Sequence, residues 1–328
     1  MSLRCADDKS IAILRVAVWF ERIVIPVILC LGWPGNFMLY RIMQSSLYKS
    51  THVSVFFKFL VLVDSTLLFV DLGRWLDALG LINIHKVTDC GWLFFVGLAP
   101  QMMSNYTLLL HNFDRAMFVM VPNISLKYFN RKHIKIYCVA IACIIAVISS
   151  HLIYTLHFNE DSSYTISGTP CKFYGSERWS MVGWPIFYNV FGIAIPFVGI
   201  LVCATFLIRF VKESRKKVGK KLTCGQRKSL RNTIVLSLFY LLCSSPFALL
   251  HFLIRFINFS KSCHVHTIWV LINCIFIQLT FFGYSVKFYL LASQSSVIRK
   301  HLLKILINGN IDKEIRQAQV CKSAITTI

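Results

Sequence analysis

Long apolar runs separated by short polar stretches constrain this chain more than any other feature of its sequence. Seven runs fall at about 19–43, 53–76, 87–121, 134–156, 183–211, 233–258 and 267–292. Each is near the roughly 20 residues a helix needs to cross about 30 Å of hydrocarbon. Lipid offers no partner to backbone amides, so such runs must be helices or barrel strands. No period-2 alternation is present, which selects helices. Hydrophobic residues make up 56% of the chain and mean hydropathy is +0.63, more than a soluble domain with a polar surface tolerates. The expected fold is an all-α membrane protein, a bundle of seven transmembrane helices. Glu21 and Arg22 lie at the outer edge of the first run, and Asp64, Asp71, Arg74 and Asp77 interrupt the second. Charges inside a span face a bundle interior, so these are functional hints.

Orientation follows from Lys and Arg. The stretch 209–231 holds ten basic residues, from Arg209 to Arg231, against the single acid Glu213. Lys127, Arg131, Lys132 and Lys135 fill another loop on the same side, and Arg299, Lys300 and Lys304 follow the last run. The positive-inside rule makes these segments cytoplasmic, with the amino terminus outside and the carboxyl terminus inside a plasma membrane. The net charge of +21 is segregated to one membrane face, so anionic inner-leaflet lipid is the expected partner and nucleic acid is not. The first residues are polar and no small-residue cleavage site follows, so the first span is expected to act as its own insertion signal. The chain then divides into an outer terminus (1–18), a membrane domain (19–293), an amphipathic eighth helix (294–307) and a cytoplasmic tail (308–328). In that eighth helix Val297, Ile298, Leu302, Leu303, Ile305 and Leu306 gather opposite Arg299, Lys300 and Lys304, the pattern of a helix lying on the inner leaflet.

Four of twelve cysteines, Cys5, Cys90, Cys171 and Cys263, fall on the expected outer side, where disulfides persist. A Cys90–Cys171 bridge would pin the loop before the fifth span over the bundle. Cys5 and Cys263 could bridge or remain free thiols. Asn258 opens a glycosylation sequon close to the sixth span.

At about 1.5 Å of rise per residue, Asn36 lies roughly 20 Å below the outer end of the first span. On the same scale Asp64 lies roughly 16 Å above the inner end of the second and Ser104 roughly 21 Å below Cys90. A carboxylate near the midplane needs solvation, a partner or a cation. Asn36 and Ser104 are available as polar neighbours. Asp114-Arg115 lies about 37 Å of helix beyond Cys90, at the cytoplasmic end of the same span. No nucleophile, base and oxyanion arrangement and no metal-ligand cluster stands out, so neither an enzyme nor a metal site is expected. His52, His111 and His151 read as structural.

In joint order and spacing these positions resemble the rhodopsin-like, or class A, G-protein-coupled receptors, from Gly35 to about Leu306. Gly35-Asn36 resembles the first-helix motif, and Leu60-Val61-Leu62-Val63-Asp64 the second-helix leucine-x-x-x-aspartate. Cys90 and Cys171 match the family disulfide, and Asp114-Arg115-Ala116 with Pro122 resembles the aspartate-arginine-tyrosine motif and the following proline. Pro196 matches the fifth-helix proline. Cys243-Ser244-Ser245-Pro246 resembles the sixth-helix cysteine-tryptophan-x-proline, and Ser285 to Leu291 the end of the seventh helix. Departures are several: Ala116 for an aromatic, Ser244 for tryptophan, Ala204 for tyrosine and, in the register set by Ile298-Arg299, Lys287 for asparagine and Leu291 for tyrosine; another register keeps Tyr289 as the tyrosine but displaces the eighth helix.

The resemblance implies a receptor, similar to peptide or chemosensory receptors, that couples to heterotrimeric G proteins by outward movement of the sixth helix. Arg115 would meet the G protein, Asp114 would hold it at rest, and Pro122 and Pro246 would shape the switch. The sixth helix offers Gln226, Arg227 and Lys228 where many relatives place an acid, which implies a weak resting clasp and basal activity. Relatives bind sodium at the position of Asp64; Lys287 could reach that carboxylate instead, or snorkel to the inner headgroups. Gly97 stands where amine receptors have an aspartate, and no mid-helix lysine suits retinal. Asp71, Arg74, Trp75, Gln101, Tyr188, Asn189, His251 and Arg255 are candidates to bind a short peptide or small chemical cue, although Asp71 and Arg74 could simply pair. No other cofactor is implied. An ion channel or transporter, and a seven-helix protein that no longer couples, are the competing classes; the first lacks visible inverted repeats.

Overall fold

The computed structural model describes residues 8–46, 48–158, 171–174, 183–216, 224–253, 263–295, 297–300 and 302. The elements are α1 (Asp8–Gln44), α2 (His52–Ala78), α3 (Ile84–Thr88), α4 (Cys90–Met120), α5 (Pro122–Tyr128), α6 (Arg131–Ser149) and α7 (His151–Thr155). A short hairpin follows, β1 (Leu156–Phe158) with β2 (Cys171–Phe173), then α8 (Trp184–Phe187), a π-helical stretch (Tyr188–Ala194), α9 (Ile195–Lys216), α10 (Cys224–Leu253), α11 (Cys263–Ser285) and α12 (Lys287–Gln294).

Local chemistry sets several boundaries. Thr51 caps α2 by accepting the Ser54 N–H at 3.3 Å, and Asn130 caps α6 by accepting the Lys132 and His133 N–H groups, each at 3.0 Å. Helical continuity is interrupted at Val286 (φ −97°, ψ 1°), so the expected seventh run is split between α11 and α12. The first helix starts at Asp8 rather than near residue 19, and its 37 residues span about 55 Å.

Six helices among the described residues are long and apolar enough to cross a membrane: His52–Ala78, Cys90–Met120, Arg131–Thr155, Trp184–Glu213, Ser229–Leu250 and Thr267–Ser285. Their surfaces are inverted relative to a soluble protein. Leu62, Phe69, Val139 and Val147 are exposed, while Asp64, Asp71, Asn112, Ser237 and Lys287 are buried. Apolar residues facing outward and polar ones inward is the arrangement that hydrocarbon solvent demands. Helix α1, uncharged from Ile23 to Tyr40, packs along α2 and α11.

The helices form a ring in which α4 is central, touching α2, α6, α9 and α10, while α10 packs on α11 and α11 closes back onto α1. Close approach of α1 to α11 depends on Gly35, where a Cβ would stand 3.0 Å from the Tyr289 ring and 3.3 Å from the Ser285 carbonyl. At the opposite end of α4 from Arg115 a disulfide joins Cys90, at the start of that helix, to Cys171 in β2. The antiparallel hairpin there, with His157 opposite Lys172, is an addition to the all-α expectation. Cys5 and the side chain of Cys263 lie outside the described residues, as does Asn258.

Pro196 explains the widened turn before α9. It has no N–H, so the carbonyls four and five residues back, Gly192 and Phe191, lose that donor. Helix α4 supplies replacements: Asn105 Nδ2 donates to Gly192 O at 2.9 Å and Tyr106 OH to Phe191 O at 2.7 Å. Of the expected eighth helix, residues 297–300 are helical, with Ile298 buried and Arg299 and Lys300 exposed.

Candidate functional site

Three groups of buried polar side chains are stacked through the bundle. The first is at the carboxyl-terminal end of α4. Asp114 Oδ2 accepts from Arg115 Nε at 3.0 Å and Nη2 at 2.6 Å, and both residues are buried. His52, the first residue of α2, joins them: its Nε2 contacts Arg115 Nη2 and lies 3.4 Å from Asp114 Oδ2. The His52 ring thus touches both members of the pair, so α2 contributes a clasp on the arginine. One turn deeper, Ser237 of α10 donates to Asn112 Oδ1 at 2.5 Å and Thr233 lies 3.4 Å from His111 Nε2. These bonds tie α10 to α4 just above the arginine. The side chains of Gln226, Arg227 and Lys228 lie outside the described residues. Pro122 starts α5 and is exposed. Pro246 sits inside α10, and Ser245 Oγ reaches the carbonyl of Leu242, which the proline leaves without its helical donor, at 3.5 Å.

Near the midplane, Lys287 turns inward. Its Nζ lies 2.6 Å from Asp64 Oδ2 and 3.2 Å from Ser104 Oγ, and Ser104 Oγ donates to Asp64 Oδ1 at 2.8 Å. The ammonium also sits 5.0 Å from the centre of the Tyr284 ring. Asn36 is not part of this group; it is buried, and its Nδ2 donates to Ser65 Oγ at 3.3 Å. Asn36 sits at the right depth but on a different side of α2, where Ser65 is its neighbour. Both oxygens of Asp64 are engaged and its charge is balanced, so these residues do not fit a sodium ion.

The third group, toward the disulfide end, joins α1, α2 and α11. Arg74 forms an ion pair with Glu21 and lies 3.6 Å from Asp71 Oδ1, which also accepts from Gln278 Nε2 at 3.2 Å. Arg74 therefore pairs with two acids rather than with Asp71 alone. Trp75 Nε1 donates to the carbonyl of Arg22 at 3.1 Å, bracing α2 on α1. Across the bundle, Tyr188 OH donates to Gln101 Oε1 at 2.9 Å. The buried Tyr284 hydroxyl lies near Gln101 without completing a hydrogen bond, and Asn189 Oδ1 is also buried without a partner. A Cβ at Gly97 would meet nothing within 4 Å, so α4 borders open space there. The side chain of His251 and all of Arg255 lie outside the described residues.

A family model described as 7 transmembrane receptor (rhodopsin family) matches residues 35–282. The chain belongs to the rhodopsin family. No curated sequence matches it at a significant level.

The disulfide end of the receptor is organised by Asp89. This residue caps α4 at φ 57° and ψ 146°, outside the ordinary regions for a residue with a Cβ. Its carboxylate offsets the strain: Oδ1 accepts the Cys90 N–H at 2.7 Å and the Phe158 N–H at 2.8 Å, and Oδ2 lies 2.8 Å from His157 Nδ1. Burial raises the Asp89 pKa, but the Phe158 N–H, His157 and the Cys90 N–H outweigh it and hold the group below the usual carboxylate range. His85 stands over the disulfide, 3.8 Å and 3.6 Å from its two sulfurs. Burial, with Arg74 nearby, lowers its pKa against the pull of Asp77. The three groups converge within 4.8 Å, but the sulfurs are bonded to each other and are not thiolate ligands.

Sequence reasoning about this receptor read His52 as structural, marked Glu21 as a hint without its pairing to Arg74, and missed Gln278. His52 begins a helix on the far side of a loop from Arg115, and no spacing rule links them. Glu21 lies 53 residues from Arg74 and Gln278 lies 207 from Asp71. A usable signal existed only in depth, since each sits at the same level of its helix as its partner.

Proposed function

We propose that this rhodopsin-family chain is a cell-surface G-protein-coupled receptor with seven transmembrane helices, α1 being the first. In this reading the amino terminus is outside, the carboxyl terminus is inside, and an eighth amphipathic helix from about residue 294 rests on anionic inner-leaflet lipid. The observation that carries the reading is the buried Asp114–Arg115 pair held by His52 at the cytoplasmic end of α4. A buried arginine whose partners come from its own helix and from α2 can serve as a two-state element: separating α2 from α4 removes the His52 clasp, and moving α10 off Asn112 opens the space beside it. The ligand, a short peptide or small chemical cue, would enter from the outer side beside Gly97, Gln101 and Tyr188. It would bias the bundle toward the state in which α10 swings outward at its inner end. The Gln101 and Tyr284 side chains lie between that entrance and Lys287, which gives the ligand a physical route to the midplane pair.

Expression of the full chain with a panel of chimeric G proteins tests the reading. The expected result is second-messenger output above background with at least one class, lost in Arg115→Ala. In His52→Ala, where the arginine loses its α2 clasp, basal output should rise about two- to tenfold, which corresponds to roughly 0.4–1.4 kcal/mol of bias. No output with any class would overturn coupling, and ligand-evoked current without G protein would favour a channel.

A further inference from the structure

Two buried oxygens at the outer contact of α1, α2 and α11 have no hydrogen-bond partner, Asp71 Oδ2 and Gln278 Oε1. Their side chains are 0% and 1% exposed, and they are geminal to the two atoms of the Gln278 Nε2 to Asp71 Oδ1 bond. Two acids, Glu21 and Asp71, face one base, Arg74. Arg22, the neighbouring cation on α1, is committed elsewhere, donating to the Ala78 carbonyl at 2.6 Å with its guanidinium 5.2 Å from the Trp19 ring. Among the described residues the group thus sets two acids against one base, and two of its buried oxygens lack a donor.

We infer that this group is a binding site for one small monovalent cation, seated against Asp71 Oδ2 and Gln278 Oε1 beneath the Glu21–Arg74 pair. A water molecule could supply the two missing hydrogens but not the missing charge, and an unbalanced carboxylate in a low-dielectric interior is costly. A cation supplies both. Access is from outside: Asp71 lies about 10 Å from the outer end of α2, and Arg74 and Glu21 above it are 24% and 15% exposed. Because Asp71 and Gln278 are closed to solvent, only a bare ion or the tip of a primary ammonium group can reach them. Those are the two sources of the same chemistry: sodium from the extracellular medium, or the protonated amine of a ligand. The inference does not depend on G-protein coupling.

The test is thermal melting of the purified full-length protein at constant ionic strength. Choline chloride is replaced by sodium chloride or by methylammonium chloride, choline being too bulky and lacking N–H donors. A cation that binds only the folded state raises the melting temperature. The expected shift is about 3 °C or more, saturable, and absent in Asp71→Asn. A shift with sodium alone assigns the site to the medium, one with methylammonium alone assigns it to a ligand amine, and one with both supports a general cation site. Gln278→Glu adds a second carboxylate and should lower the half-saturating sodium concentration at least threefold, a gain that misfolding cannot mimic. Equal melting in all three salts, or a sodium shift that persists in Asp71→Asn, overturns the inference. Melting reads occupancy alone, so a protein that fails to signal but shows the shift would sink coupling and leave this site standing.

Discussion

Asp64 and Asp71 are seven residues apart on α2 and share its inward face, both 0% exposed, yet they live in opposite circumstances. Asp64 has a full set of partners, one from α4 and one from α12, and its charge is matched by Lys287. Asp71 has one engaged oxygen and shares a single arginine with Glu21. The inner carboxylate is therefore part of the framework, while the outer one is poised for something that comes and goes. The contrast also explains how a charged residue can replace an ion: Val286 breaks the last span, so Lys287 starts a new helix whose first side chain turns into the bundle.

The comparison fails first if Lys287 is not the counterion of Asp64. Lys287→Met leaves a buried carboxylate unpaired and should cost about 3–5 kcal/mol, read as a large drop in melting temperature and in surface expression. Replacing both groups, Asp64→Leu with Lys287→Met, removes the charge as well as its partner and should recover most of that loss. A double variant as unstable as the single one would mean that the pair is not the unit that matters.

A finer comparison sets one hydrogen bond to each carboxylate side by side. Ser104→Ala removes a donor to the charged Asp64 and should cost about 1.5–3 kcal/mol. Gln278→Leu removes a donor to Asp71 but also removes the orphaned Oε1, so the two effects oppose and the net change should be about 1 kcal/mol or less. Equal costs in a paired melting experiment would erase the distinction between a satisfied and a half-satisfied site.

That the chain crosses a membrane several times as helices was legible because it is written in run length, a quantity that a single sequence carries in full. The Cys90–Cys171 bridge was legible because both residues lie on one side and in the right loops. Depth counting placed Asp64 and Ser104 together, yet it also placed Asn36 with them, and Asn36 bonds to Ser65 instead. Counting residues fixes height along a helix axis but not rotation about it, and rotation is set by packing, here by the glycine contact at Gly35. Lys287 illustrates the same limit: the sequence allowed it to turn to Asp64 or to the headgroups, and only the break at Val286 decides. The pairings of His52, Glu21 and Gln278 stayed hidden because each meets its partner across a helix interface that no local pattern encodes. The hairpin and the Asp89 cap were missed because a three-residue strand leaves almost no periodicity to detect.

The smallest expected effect lies at the rim, where Asp89 is a carboxylate that solvent reaches, 36% exposed against 0% for Asp64. Its folded-state pKa is depressed, so the folded form binds the proton more weakly than the unfolded chain. The stabilisation is then complete above the ordinary Asp value near 4 and is lost as pH falls through the lower folded value. Acid should loosen the hairpin before the bundle, because Asp89 Oδ1 holds the Phe158 N–H while the disulfide holds Cys171 independently. Hydrogen exchange at Phe158, corrected for intrinsic rate, should show protection falling as pH drops below about 4. In Asp89→Asn the side-chain oxygen still accepts the two N–H groups but cannot be protonated in that range, so the step should vanish while protection at neutral pH falls only slightly. A step of the same size in the variant would place the acid sensitivity in another group and leave Asp89 as a turn residue alone.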